Sequence, residues 1–186
     1  MIASNDRSWW FGASDTDKIV GNFNTVTWQK WWATKLGLLP NNEWQTKYTR
    51  AGTYYEHAIL RSLHLPLVYD YQIKIPELRL RVNYDGIHMA EKHIYECKTH
   101  KGDKPFKVSK TYWRQAQTEM FALETDMLDI VAYAMNEDNY KNFFLDIEED
   151  RRTLVKVDRD DKFINGLLIP RLELLTDCLE RGVFPK

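Results

Sequence analysis

VNYDGI at residues 82–87 and HIYECKT at residues 93–99 set an aspartate, Asp85, eleven residues before the triplet Glu96-Cys97-Lys98. Upstream, Leu78, Leu80, Val82 and Tyr84 alternate with Arg79, Arg81, Asn83 and Asp85. That period of two predicts a strand over 78–85 with Asp85 on the same face as Arg79 and Arg81. The next strand is expected over 93–98. Side chains alternate across a strand, so Glu96 and Lys98 share one face while Cys97 points to the other. Two carboxylates from neighbouring strands, with an ammonium group beside them, could grip a divalent cation. A D…ExK pattern alone is common in chains of this size, so its company in the sequence matters.

Working outward, helices precede the strands. Ser14-Asp15-Thr16-Asp17 has the form of an N-cap followed by an acid at the third position, predicting a short helix from Ser14 that ends near Gly21. A second helix is expected over 27–36, stopping at Gly37, and a third over 43–63 with a break near Gly52. Val68 to Ile75 forms a further strand. After a Lys-rich loop, 109–124 is expected as a helix, then strands over 127–135, 143–147 and 153–157, and a closing helix over 162–181. Helices, strands, a helix, strands and a last helix describe a mixed α/β (α+β) domain.

The chain has 186 residues, 44% of them hydrophobic and 28% charged, which suits one soluble globular domain spanning 1–186. No apolar run is long enough to span a bilayer, and residues 1–7 carry no hydrophobic signal segment, so a cytoplasmic protein without a membrane partner is expected. Two cysteines, Cys97 and Cys178, exclude a four-cysteine zinc or iron–sulfur site built from this chain alone. The net charge of −1 does not advertise a nucleic-acid partner, yet its distribution is uneven. Residues 91–114 hold seven Lys/Arg against three acids, whereas 137–161 hold nine acids against five Lys/Arg. The basic stretch adjoins the D…ExK segment, as a nuclease needs and as a solvated loop also has.

Glu56 and the tryptophans each have two explanations, Gln115 and Ser14 a plain structural one. Glu56 shares a predicted helix face with Ile59, Leu60 and Leu63, so its carboxylate either pairs with a cation or sits at the boundary beside an Arg or Lys. Gln115 flanks the apolar stripe of Tyr112, Ala116, Met120 and Leu123. Ser14 is accounted for by capping alone. Six of the seven tryptophans fall within the first 44 residues, which suits core packing, or stacking on bases by a few of them.

In order along the chain, these segments resemble the YqaJ-type viral recombinase family, the exonucleases related to phage lambda exonuclease within the PD-(D/E)xK superfamily. FGASDTDKIVG (11–21) is similar to that family's opening segment, and WQKWWATKLGL (28–38) to the helix that follows. AGTYYEHAIL (51–60), YDGI with IYECKT, and YWRQAQTEMFAL (112–123) are similar to its acidic helix, catalytic strands and Gln-bearing helix. The match covers roughly residues 7–124 and fades beyond Glu124.

The resemblance implies a restriction-endonuclease-like fold, a central mixed sheet flanked by helices. It implies a Mg²⁺-dependent DNA exonuclease, with Mn²⁺ as a substitute, digesting one strand of linear duplex DNA from 5′ to 3′. Asp85 and Glu96 would be metal ligands, joined by the backbone carbonyl of Cys97, with Glu56 supporting the site directly or through water. Lys98 would orient or activate the attacking water, and Gln115 would position the lysine or the water. Arg7 and Ser14 would hold a 5′-terminal phosphate. Double-stranded DNA ends, a single-strand annealing protein and a homo-oligomer, a trimer in lambda-type enzymes, are the implied partners. A RecB/Cas4-like enzyme, a structure-specific endonuclease and a catalytically silent DNA-binding subunit share the core pattern; the Cas4 cluster would need more cysteines.

Overall fold

A computed structural model describes residues 8–40 and 46–186. Five strands form one sheet in the order β1-β2-β3-β4-β5: Val68–Ile75, Leu80–His88, His93–Lys101, Leu128–Met135 and Arg152–Lys156. All neighbours are antiparallel except β3 and β4, which run parallel and are joined through helix α4, Lys110–Leu123. A parallel pair requires such a crossover. The sheet is therefore mixed and helix-flanked, as expected from the sequence.

Two hydrophobic clusters cover the sheet's faces. On one, Leu80, Val82, Ile94, Leu128 and Ile130 meet Ala116 and Met120 of α4, Trp28 and Trp32 of α2 (Val26–Lys35), and Leu172, Leu175 and Leu179 of the last helix. On the other, Tyr95, Cys97, Val131 and Tyr133 meet Ala51, Tyr55, Ile59 and Leu60 of α3, Lys47–Arg61. β4 is buried on both faces, consistent with its near-continuous apolar sequence LDIVAYAM.

Several boundaries differ from the sequence expectation, each for a local reason. The helix expected to break near Gly52 is continuous through it. A Cβ at Gly52 would come within 3.3 Å of Thr99 Oγ1, so the missing side chain lets α3 lie close on β3; the start of that expected helix, at Glu43, lies outside the described residues. Residues 78–79 are not in β2, because Pro76–Leu78 forms a 3₁₀ turn ended by Arg79 at φ +48°. The expected strand over 143–147 is a loop. Asn139 and Asn142 side chains accept backbone N–H groups there, and β5 instead takes the edge beside β4. The closing helix is divided into α5 (Asp161–Phe163), a π turn (Ile164–Leu168) and α6 (Ile169–Glu180). The wide turn precedes Pro170, which has no N–H to donate to the turn before it.

Short helix α1, Thr16–Ile19, continues a 3₁₀ turn at Ala13–Asp15. Its cap lies earlier than predicted: Gly12 is the N-cap, and Asp15 Oδ2 accepts from the Gly12 N–H at 2.8 Å. Ser14 is exposed and does not cap the helix. Asp15 also receives Lys35 Nζ at 2.7 Å and Trp31 Nε1 at 3.0 Å, tying this segment to α2. Trp28 and Trp32 are core residues, Trp9 is 42% exposed, and Trp44 lies outside the described residues.

Candidate active site

The cleft exists because two strands part. β2 and β3 pair only at Gly86↔Tyr95, Ile87↔Ile94 and His88↔His93. Beyond Gly86 the ladder ends, and the Asp85 carboxylate takes over by accepting the Cys97 N–H at 2.9 Å. Further along β2, Phe11 fills the vacated edge: its N–H donates to Arg79 O, and Arg81 N–H donates to Phe11 O, each at 2.8 Å. Between these ends lies a cavity of about 390 Å³ bordered by Trp10 to Ser14, Thr53, Arg81, Asn83 and Tyr84. Asp85 thus shares the cleft with Arg81 and Asn83, the polar side of the alternating strand.

Five carboxyl side chains line the same cavity: Glu56, Asp70, Asp85, Glu96 and Glu119. Glu96 is 4% exposed and Glu119 fully buried. Glu96 Oε1 receives Lys98 Nζ at 2.5 Å and Gln115 Nε2 at 2.6 Å. Gln115 Nε2 also donates to Glu119 Oε1 at 2.7 Å, so it bridges Glu96 on β3 to Glu119 one helical turn further along α4. Gln115 and Lys98 thus meet at the same Glu96 oxygen. The Lys98 ammonium lies 5.2 Å from the centre of the Tyr112 ring.

Burial and mutual repulsion dominate the electrostatics. Burial, then Glu96 and Glu56, pushes the Asp85 carboxyl well above the usual carboxylate range. Burial and then Glu96 do the same to Glu119, and they also raise Glu56. For Lys98 burial would lower the pKa, but the Glu96 and Asp85 carboxylates outweigh it and the result is raised. Glu96 Oε2 and Glu119 Oε2 are both buried without a hydrogen-bond partner among the described residues. Buried acceptors of this kind cost free energy unless something positive meets them. Hard oxygen donors in excess, two of them unpaired, fit a divalent cation such as Mg²⁺ or Mn²⁺.

Cys97 presents its N–H to Asp85, and in an extended strand the C=O of a residue faces the same edge as its N–H. Its carbonyl is thus directed to the β2 side, while its thiol packs in the α3 cluster. Glu56, on α3, reaches the cleft from the opposite wall. It forms a second donor group with His57 and Asp70, whose ligand atoms lie within 4.8 Å of one another. Ser14 stands at the cleft rim, whereas Arg7 lies outside the described residues. Sequence reasoning missed Asp70 and Glu119. Asp70 has φ +53° where the β1–β2 ladder skips a pair, a conformation that no alternation pattern announces. Glu119 had a signal: it lies four residues after Gln115, on the same helical face.

No protein-family model and no curated relative matches the chain. Solved structures do. An alkaline exonuclease, LHK-Exo, from Laribacter hongkongensis is 18% identical, with a TM-score of 0.70 over 94% of this chain and 90% of that one. LHK-Exo in complex with dAMP gives 17% identity and a TM-score of 0.65, with the same coverage. A phage-related exonuclease from Haemophilus somnus 129PT is 20% identical, with a TM-score of 0.59 over 93% of this chain and 92% of that one. The fold implied by the sequence motifs and the fold of these neighbours are the same. The chain has the fold seen in the alkaline exonuclease and the phage-related exonuclease.

Proposed function

We propose that this chain is a divalent-metal-dependent DNA exonuclease acting from 5′ to 3′ on linear duplex DNA and leaving 3′ single-stranded tails for phage-type recombination. The observation that carries it is the meeting of Asp85, Glu96 and Lys98 with the Gln115 bridge in a cleft holding five acids. A neighbour of the same fold that binds dAMP supports a deoxynucleotide as the occupant of the cleft. The volume, about 390 Å³, is of ligand size.

Asp85, Glu96 and the Cys97 carbonyl would hold Mg²⁺, with Glu56 and Asp70 completing or extending the donor set. Bound there, the ion would supply a water of lowered pKa and neutralise charge on the phosphate. The chain's own groups do the rest. Lys98, hydrogen-bonded to Glu96, places a positive charge beside the reacting phosphate and the attacking water. Gln115 fixes the Glu96 carboxylate in one orientation, as outer partners of metal ligands commonly do. Ser14, Arg81 and Asn83 offer donors to a terminal 5′ phosphate at the cleft's other end.

Family resemblance further supports one nuclease domain over 1–186, a trimer, a single-strand annealing partner and a bacterial cytoplasmic setting. Among the described residues no helix is long and apolar enough to cross a membrane. The test is incubation with Mg²⁺ and either 5′-phosphorylated linear duplex or closed circular DNA. Degradation of the linear form alone, abolished by Asp85→Ala and by Lys98→Ala, is expected. Cutting of circles would indicate an endonuclease, and no hydrolysis in either form would indicate a silent binding subunit.

A further inference from the structure

A second groove adjoins the acidic cleft along α3. It measures about 370 Å³ and is lined by Tyr48, Thr49, Gly52, Lys98 and Tyr112, among others. Thr53 and Glu56 border both cavities, so the two adjoin along that face of α3. The chemistry changes sharply between them. The first is crowded with carboxylates, whereas two rings lining the second, Tyr48 and Tyr112, have lysine ammonium groups over them, and further cation–ring pairs lie beyond Tyr48.

Lys47 Nζ lies 5.1 Å from the Tyr48 ring centre and 5.7 Å from that of Tyr140. Lys101 Nζ lies 6.0 Å from the Tyr48 ring, and the two tyrosines meet edge to face at 5.0 Å. Next to them, Tyr54 stacks on Phe143 at 4.8 Å with Arg50 5.9 Å from the Phe143 ring. Tyr48 is 43% and Tyr54 58% exposed, so the platform faces solvent and is not part of the core. Rings interleaved with Lys and Arg along a groove are the arrangement that holds unpaired nucleotides without regard to sequence.

Resting on the nuclease function proposed above, we infer that this groove binds the unpaired nucleotides of the substrate strand on the 3′ side of the scissile phosphate. A base stacks on Tyr48, and backbone phosphates lie against Lys47 and Lys101. Continuity with the cleft selects this occupant, and so does charge. A polyanion is repelled by the acidic cleft wherever no metal ion screens it, and is drawn to the cationic rim, so the strand approaches the metal centre from this side.

The experiment measures binding, not turnover. Full-length protein with Ca²⁺ in place of Mg²⁺ is titrated with 5′-phosphorylated oligonucleotides of three to six nucleotides carrying 2-aminopurine at the third position. Wild-type protein should quench the probe and gain affinity with each added nucleotide. Tyr48→Ala should abolish the quench and weaken binding of the longer oligonucleotides about 5- to 100-fold, while Tyr48→Phe retains both. Thermal melts establish that each variant is folded. Unchanged quenching and affinity in folded Tyr48→Ala would overturn the inference. So would a fall in oligomer mass by light scattering with DNA binding intact, which would make the platform a contact between copies. If wild-type protein hydrolyses no DNA in Mg²⁺ yet still shows the Tyr48-dependent quench, the nuclease function fails and the groove stands.

Discussion

Replacing Gln115 by alanine separates the role of the amide from that of the metal ligands. Its Nε2 donates to Glu96 Oε1 at 2.6 Å and to Glu119 Oε1 at 2.7 Å. Without it, Glu96 Oε1 keeps Lys98, but Glu119 loses the amide that donates to its Oε1. One charge-assisted hydrogen bond contributes about 1.5–3 kcal/mol and a neutral one about 0.5–1.5 kcal/mol. A loss of about 2–4 kcal/mol follows, a fall in melting temperature on the order of 5–15 °C for a chain of this size. The Gln115 bond also lowers the Glu119 pKa, so its removal pushes that carboxyl further up. Metal affinity or activity should fall roughly 10- to 100-fold, the usual cost of losing a partner of a metal ligand. Calorimetric titration with Mn²⁺ and thermal melts of wild type and Gln115→Ala measure both quantities. Metal affinity within twofold of wild type, with an unchanged melt, would refute the assignment of Gln115 as the group that orients Glu96.

Three more outcomes are expected. The carboxyls of Asp85 and Glu119 bind protons more tightly folded than unfolded, so metal-free protein should lose stability as pH rises from about 4 through their raised pKa values. Urea denaturation in EDTA at pH 5 and pH 8 measures this. Added Mg²⁺ should restore stability mainly at the higher pH, and Asp85→Asn should flatten the dependence. Gly86→Val should destabilise by about 1–3 kcal/mol in the same assay, because even its Cβ would stand 3.2 Å from Leu67 Cδ1 and 3.4 Å from Leu60 Cδ1. Ser14→Ala, which removes no cap, should leave the melting temperature unchanged and reduce the preference for 5′-phosphorylated over 5′-hydroxyl duplex ends in a degradation assay.

What was legible in the sequence was local and periodic. Alternation along 80–85 and 93–98 set Asp85, Glu96 and Lys98 on strands, and the Tyr112-to-Leu123 stripe set Gln115 on a helix, all of which the fold then gathers into one cleft. What escaped depends on geometry between elements. The parting of β2 from β3 after Gly86 makes the cleft, and no residue type announces it. Asp70 enters only because its left-handed backbone interrupts the ladder. Residues 143–147 have the composition of a strand, but the sheet edge beside β4 belongs to β5, so they have no partner to pair with. Ser14 looked like a cap because its spacing to Asp17 mimics a capping box, whereas Asp15 reaching back to Gly12 closes the helix two residues earlier.

Locating the ion in the cleft tests the central claim most directly. Crystals grown with Mn²⁺ and measured at the manganese absorption edge should show an anomalous peak between Asp85 and Glu96, within about 2.0–2.3 Å of a carboxylate oxygen of each and of the Cys97 carbonyl. Asp85→Asn should remove the peak and the nuclease activity together. Wild-type protein that degrades DNA with no ion bound by Asp85 or Glu96, or with the ion bound elsewhere, would contradict it.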